Sequence, residues 1–153
     1  MKPAAHERQS KRPPVVTDVN ADCQSIIINV PAAEVYRGLL RFEDLPQFIT
    51  SIVKIDDVSN NRFTCTSIIN GQEITSEVTI MMRVPDRRIA WQAVSDHFRL
   101  GVIFLDRLLG GTTKVTVKIR SMMEPLQLSG ALREYLRKFK DFVERESPRD
   151  ENG

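Results

Sequence analysis

The stretch from Val53 to Met123 most constrains this fold. It reads as six short strands joined by tight turns, and an amphipathic helix from about Ser129 to Glu146 follows at once. Asn70-Gly71 suits a two-residue type I′ turn, which needs positive φ at both positions. That turn sets Ile69 opposite Gln72, Ser67 opposite Ile74, Cys65 opposite Ser76 and Phe63 opposite Val78. Directly opposed residues share a face. One face then carries Phe63, Cys65, Ser67, Ile69, Ile74, Ser76, Val78, Ile80 and Met82 and reads as core. The other carries Thr64, Thr66, Glu73, Thr75, Glu77 and Thr79 and reads as solvent-facing.

The same test applies at the other turns. A two-residue turn at Asp96-His97 pairs Ser95 with Phe98, Ala93 with Leu100, Trp91 with Val102 and Ile89 with Phe104, and sends Arg88, Gln92 and Arg99 outward. Ala90, Val94 and Ile103 share that outward side. At Gly110-Gly111 a strict two-residue turn would set Asp106 opposite Val115, so a bulge or longer loop is expected before Thr113, Val115, Val117, Ile119 and Ser121. Around Ser59-Asn60-Asn61 a two-residue turn would bury Lys54 and Asp56. A three-residue turn instead sets Val53, Ile55 and Asp57 beside Ser67, Cys65 and Phe63, with an Asn in the left-handed region.

Upstream, Ile26, Ile28 and Val30 alternate with Ser25, Ile27 and Asn29, a strand pattern that Pro31 stops. Pro31 suits the start of a helix whose buried face is Ala32, Val35, Tyr36 and Leu39. A second short helical segment spans about Glu43 to Ile49, anchored by Leu45 and Phe48. The last helix repeats apolar residues at Leu128, Leu132, Leu136, Phe139 and Val143, with Tyr135 and Phe142 beside them. Its outer faces carry the i,i+4 pairs Glu134–Lys138, Arg137–Asp141 and Lys140–Glu144.

The chain of 153 residues implies one domain that buries a core without staples. Residues 1–20 are polar and basic and read as a disordered tail; Lys2, Arg8, Lys11 and Arg12 leave open a basic arm touching a phosphate surface or a partner. The domain spans 21–147, and 148–153 reads as a frayed end. A net charge of +2 gives no case for nucleic acid. Cys23 and Cys65 form no metal spacing and are expected as free thiols. With no apolar run of bilayer length and no apolar leader, stable membrane insertion is not expected and a cytoplasmic protein is.

No catalytic or cofactor motif is visible. His6 lies in the tail and His97 at a hairpin tip, so no His-based dyad or triad forms, and no metal or cofactor is implied. The inward parity is apolar with small polar groups at Cys65, Ser67, Ser76, Ser95, Thr113 and Ser121. These are either ordinary sheet residues bonded to nearby backbone or groups that orient a largely apolar ligand. The candidate cavity-lining set is Phe63, Cys65, Ser67, Ser76, Val78, Trp91, Phe98, Leu100, Phe104, Val117, Tyr135 and Phe139, with Met123 near the mouth. Asp57, Asp106 and Arg62 sit at sheet ends, as exposed turn charges or as an acid or base at the mouth.

The order strand, two helices, six strands, long helix resembles the START-like, Bet v 1-like helix-grip fold (the SRPBCC superfamily). Local matches resemble its polyketide cyclase/dehydrase branch: Val30-Pro31-Ala32 with Glu34-Val35-Tyr36, Phe42 with Leu45-Pro46 and Phe48, Ile89 with Trp91, Gly101 with Phe104, Gly111-Thr112-Thr113 with Val115, and Glu124-Pro125. The resemblance covers about Asp22 to Glu146 and consists of fold markers, not active-site markers. It implies an α+β domain: a seven-stranded curved antiparallel sheet wrapped around the C-terminal helix, with two short helices between strands 1 and 2. It also implies a cavity for apolar small molecules, since the superfamily includes lipid carriers, quinone-binding proteins, plant-hormone receptors, aromatase/cyclases and ribosome-associated proteins. A shared fold does not choose among these. The preferred reading is a binder of a hydrophobic or amphipathic small molecule such as a lipid, quinone or polyketide-like aromatic. The alternatives are a cyclase or dehydratase acting on a polyketide-type substrate, and an interaction protein on a ribosome or respiratory complex.

Overall fold

The structure is a computed structural model that describes residues 20–94, 99–121 and 125–146. The segments expected as a tail (1–20, apart from Asn20, which begins β1) and as a frayed end (148–153), with Ser95, Phe98 and Met123, lie outside the described residues. Seven strands form one antiparallel sheet: β1 (Asn20–Ile28), β2 (Ile52–Asp56), β3 (Arg62–Ile69), β4 (Gln72–Val84), β5 (Arg88–Val94), β6 (Arg99–Leu108) and β7 (Thr112–Ser121). Between β1 and β2 come α1 (Ala32–Leu39), a 3-10 turn (Phe42–Asp44) and the single-turn α2 (Leu45–Phe48); α3 (Pro125–Glu146) closes the order. The strands lie in the order β1-β7-β6-β5-β4-β3-β2. The two helices thus carry the chain from one sheet edge to the other, and a meander brings it back. This is the α+β helix-grip architecture that the sequence implies. Among the described residues, no helix is long and apolar enough to cross a membrane.

Local chemistry accounts for the element ends. Pro31 (φ −62°) sits one residue before α1, and its carbonyl accepts from the N–H groups of Glu34 (3.0 Å) and Val35 (3.1 Å). Ala32, Val35, Tyr36 and Leu39 are the buried face of α1, as their spacing predicts. Asn70 and Gly71 take φ of 55° and 77°, and β3 pairs with β4 in the expected register. Leu108 faces Thr112, so the β6–β7 turn is a three-residue loop, with Gly110 and Gly111 both at positive φ. Cys23 and Cys65 are free, one exposed and one buried.

Three expectations are corrected. In β4, Ile80 faces Trp91 and Met82 faces Ala90, so Met81 is an extra residue. This bulge turns Met82 out to 41% exposure. In β2, a second bulge at Val53 gives the place opposite Ser67 to Ile52. Ile55 still faces Cys65 as expected, but the left-handed residue is Asp57 (φ 52°) and not an Asn. Asn61 instead accepts from the Ile80 N–H with its carbonyl (2.7 Å) and from Arg83 Nε with its side chain (2.9 Å).

The third correction is a one-residue shift of β6. Ala93 faces Arg99, Trp91 faces Gly101 and Ile89 faces Ile103. The connection is therefore odd in length, and every β6 side chain changes face relative to the two-residue turn. Leu100 is 39% exposed, and Phe104 lies on the outer face between Arg88 and Lys118, 5.3 and 5.4 Å from its ring centroid. Both parities of β6 are apolar, so alternation could not choose between them. Sterics does: a Cβ on Gly101 would lie 2.1 Å from the Trp91 ring. Only glycine leaves space for the indole there, and a Val opposite Trp91 does not.

The buried stripe of α3 is Leu128, Leu132, Tyr135, Leu136, Phe139 and Val143. Phe139 is 1% exposed and meets Phe48 edge-on at 5.6 Å. Polar contacts fasten α3 on two sides. Toward β1, Gln24 Nε2 donates to the Ser129 carbonyl (3.1 Å), Lys140 Nζ to the Ile27 carbonyl (3.0 Å), and the Asn29 N–H to Glu144 (2.8 Å). Toward β2, the Thr50 N–H donates to Glu134 at 3.2 Å and the Thr50 hydroxyl donates to the same carboxylate. Lys138 completes that cluster at 2.9 Å.

Truncating Phe139→Ala removes the centre of this packing and is expected to cost about 3–5 kcal/mol in chemical denaturation. The Thr50 hydroxyl, with Lys138 and the Thr50 N–H, holds the Glu134 carboxyl down at about 2, from an ordinary 4.5. A depressed carboxyl contributes stability that is complete above 4.5 and lost as the pH falls through about 2. Glu134→Gln is therefore expected to lower stability at neutral pH and to flatten the acid limb of the stability–pH curve.

Candidate functional site

Between the inner face of the sheet and α3 lies a cavity of about 180 Å³. Three strand features make it. Val78, Ile80 and Phe63 form one wall from β3 and β4, and Val117 and Ile119 form the other from β7. Trp91 is the floor between them, with its ring over Gly101. Leu128, Ala131, Leu132 and Tyr135 of α3 are the roof, and Leu39, Phe42, Leu45 and Ile49 close the end near the short helices. Phe42 stacks on Phe63 at 4.7 Å, and Phe48 meets Tyr135 edge-on at 6.1 Å, so this end is an aromatic cluster.

Most of the sequence-derived set falls on this wall: Phe63, Cys65, Ser67, Val78, Trp91, Val117 and Tyr135. Ser76 is buried beside it. Phe139 is packed into the core behind it. Leu100 and Phe104 leave the set through the shift in β6, and Phe98 is outside the described residues. Thr113 is a structural hydroxyl: it is fully buried and donates to the Val30 carbonyl at 2.7 Å. Arg62 pairs with Glu77 on the exposed face, and Asp57 and Asp106 are exposed, so none of the three reaches the cavity. Among the described residues, no cluster of three or more His, Cys, Asp or Glu side chains converges as for a metal.

Polar groups gather at one end of the cavity. Cys65 Sγ lies 3.8 Å from Ser67 Oγ, and Arg99 Nη2 donates to Ser76 Oγ at 3.5 Å. Burial pushes the Cys65 thiol up, against the opposing pull of the Ser67 hydroxyl and the Arg99 charge. Burial likewise raises the Tyr135 phenol. Both therefore stay protonated at neutral pH, as donors rather than nucleophiles or bases. Arg99 is the residue that alternation assigned to the wrong face. Its only sequence signal was the Trp91–Gly101 size match, which selects the register that turns it inward.

No protein-family model matches this chain. A stretch of 97 residues, 63% of the chain, is 28% identical to an uncharacterized 17.2 kDa protein of Streptomyces lincolnensis and spans 65% of that relative, just under two thirds of its length. Among solved structures, a START superfamily protein from Mycobacterium smegmatis superposes with a TM-score of 0.71 at 14% identity, covering 83% of this chain and 99% of that one. The di-domain ARO/CYC StfQ from the steffimycin biosynthetic pathway gives 0.68 at 19% identity, over 81% of this chain and 44% of that one. Ara h 8.0201 gives 0.64 at 12% identity, over 82% and 97%. At these identities the likeness is one of fold, and the fold is the START/Bet v 1-like helix grip.

Trp91 is the sole tryptophan, so its environment can be read directly by fluorescence. Gly101→Ala is expected to displace the indole from the cavity floor, shift its emission and cost about 1–3 kcal/mol of stability as an overpacked site. Unchanged emission and stability would show that the ring does not rest on Gly101.

Proposed function

We propose that this chain binds a hydrophobic or amphipathic small molecule in the space between its sheet and α3. The observation that carries this reading is the cavity itself. Core interiors are close-packed, and few voids exceed a water molecule. Here about 180 Å³ stays open beneath a helix fastened on two sides. An apolar cavity of about 150 Å³ takes benzene. The space therefore suits a one- or two-ring aromatic or a short acyl chain, and a larger polyketide or lipid needs α3 to move outward.

The likeness to StfQ supports a second reading, a cyclase or dehydratase-type enzyme. Such catalysis works largely by positioning a reactive chain. Binding is favoured because the described groups that face the cavity include no ready base: the Cys65 thiol and the Tyr135 phenol are both raised by burial.

Naphthalene-class and short fatty-acid probes are expected to bind the purified protein with one site per chain in calorimetric titration. Ala131→Phe, on the cavity-facing side of α3, is expected to fill the space and abolish that binding while the chain keeps its far-UV spectrum. Probe binding left intact by Ala131→Phe would place the ligand elsewhere, and no binding of any probe to the unaltered chain would end the reading.

A further inference from the structure

The shift in β6 does more than clear space for Trp91. It turns Arg99 onto the inner face, between Ala93 of β5 and Ser121 of β7. From there the guanidinium reaches over β5 to Ser76 of β4, above the end of the cavity that holds Cys65 and Ser67. Arg99 is the one charged residue among the described residues that line the cavity, and no described Asp or Glu lines it. None of the ion pairs among the described residues includes Arg99.

A guanidinium stays charged at any working pH and carries five N–H donors in a planar fork. Arg99 is half-buried; even partial burial of this charge without an anion is costly, and one long bond to a serine hydroxyl leaves most of the fork unused. A carboxylate is the partner whose two oxygens match that fork. We propose that the cavity selects an amphipathic monocarboxylate, its apolar body over Trp91 and beneath Leu132, its carboxylate paired with Arg99. Ser67 supplies a further hydroxyl at the same end, and Ser76 holds the guanidinium from behind. The available volume sets the size, an aromatic or short aliphatic body and not a long-chain lipid, and the guanidinium sets the charge, an acid and not a neutral quinone. This rests on the reading of the cavity as a binding site and names the chemistry it selects.

The test uses the full-length chain and an isosteric pair, 2-naphthoic acid and 2-naphthamide, at neutral pH by calorimetry. The acid is expected to bind roughly tenfold or more tightly than the amide, the scale of one charge-assisted hydrogen bond. Arg99→Gln is expected to lower the acid affinity and remove that preference, with Arg99→Lys restoring part of it. Equal binding of acid and amide to the unaltered chain overturns the assignment of Arg99 while leaving the binding cavity in place. Binding of neither compound, nor of a short-chain acid and its amide, overturns the cavity reading and this inference with it. The unaltered-chain comparison needs no variant, so a folding defect in Arg99→Gln leaves the test decisive.

Discussion

The contact between Trp91 and Gly101 governs the interior of this domain. An indole is the largest side chain that a sheet can carry, and it needs a neighbour without a Cβ to lie flat across the next strand. Glycine opposite tryptophan satisfies that need in one register only. The choice then propagates along β6, because side chains alternate with a period of two. Ile103 and Leu105 enter the core, and Phe104 goes outside, where two cations cover its ring. The same step turns Arg99 inward. One steric constraint thus sets both the shape of the cavity floor and the charge at its end.

The roof depends on a different balance. Nonpolar burial along α3 is strong but undirected, and alone it would draw the helix down onto the sheet until the space closed. The contacts to β1 and to Thr50 act at the helix flanks and hold its height. Aromatic rings at Phe42, Phe48 and Phe139 fill one end and act as spacers. What remains open is the region where the facing side chains are small: Ser51, Ser67, Ala93 and Ala131.

Much of this was legible in the residues. Asn70-Gly71 and the alternation around it set the β3–β4 register, since one parity is mainly apolar and the other mainly Thr and Glu, although Thr66 on the outward parity is buried. The spacing of Leu128 through Val143 marked the buried face of α3 for the same reason. The failures occurred where that contrast vanished. In β6, Leu100, Val102 and Phe104 are as apolar as Gly101, Ile103 and Leu105, so the pattern named a strand but not its face. Bulges at Val53 and Met81 add one residue within strands of mixed character and leave no compositional trace. Arg99 was misread because charge was taken as a sign of solvent, a rule that fails where the strand register turns a half-buried guanidinium inward.

The proposed use bears on stability. A space of this size, partly open to solvent, forgoes contacts that a filled core would make; about 4 kcal/mol, the cost of a closed void at about 24 cal/mol per Å³, is its upper bound. Small domains are stable by only about 5–15 kcal/mol, so the open space is a large concession. A guanidinium with no ion-pair partner among the described residues adds to that concession. Packing alone would favour a larger residue at Ser67 or Ala131 and an apolar one at Arg99, all within reach of a few substitutions. A molecule that fills the space and neutralises the charge reverses both losses at once. Binding to the folded state alone then raises stability with ligand concentration. In the proposed reading, the features that look like defects in a packed core have one common account: a ligand completes the interior.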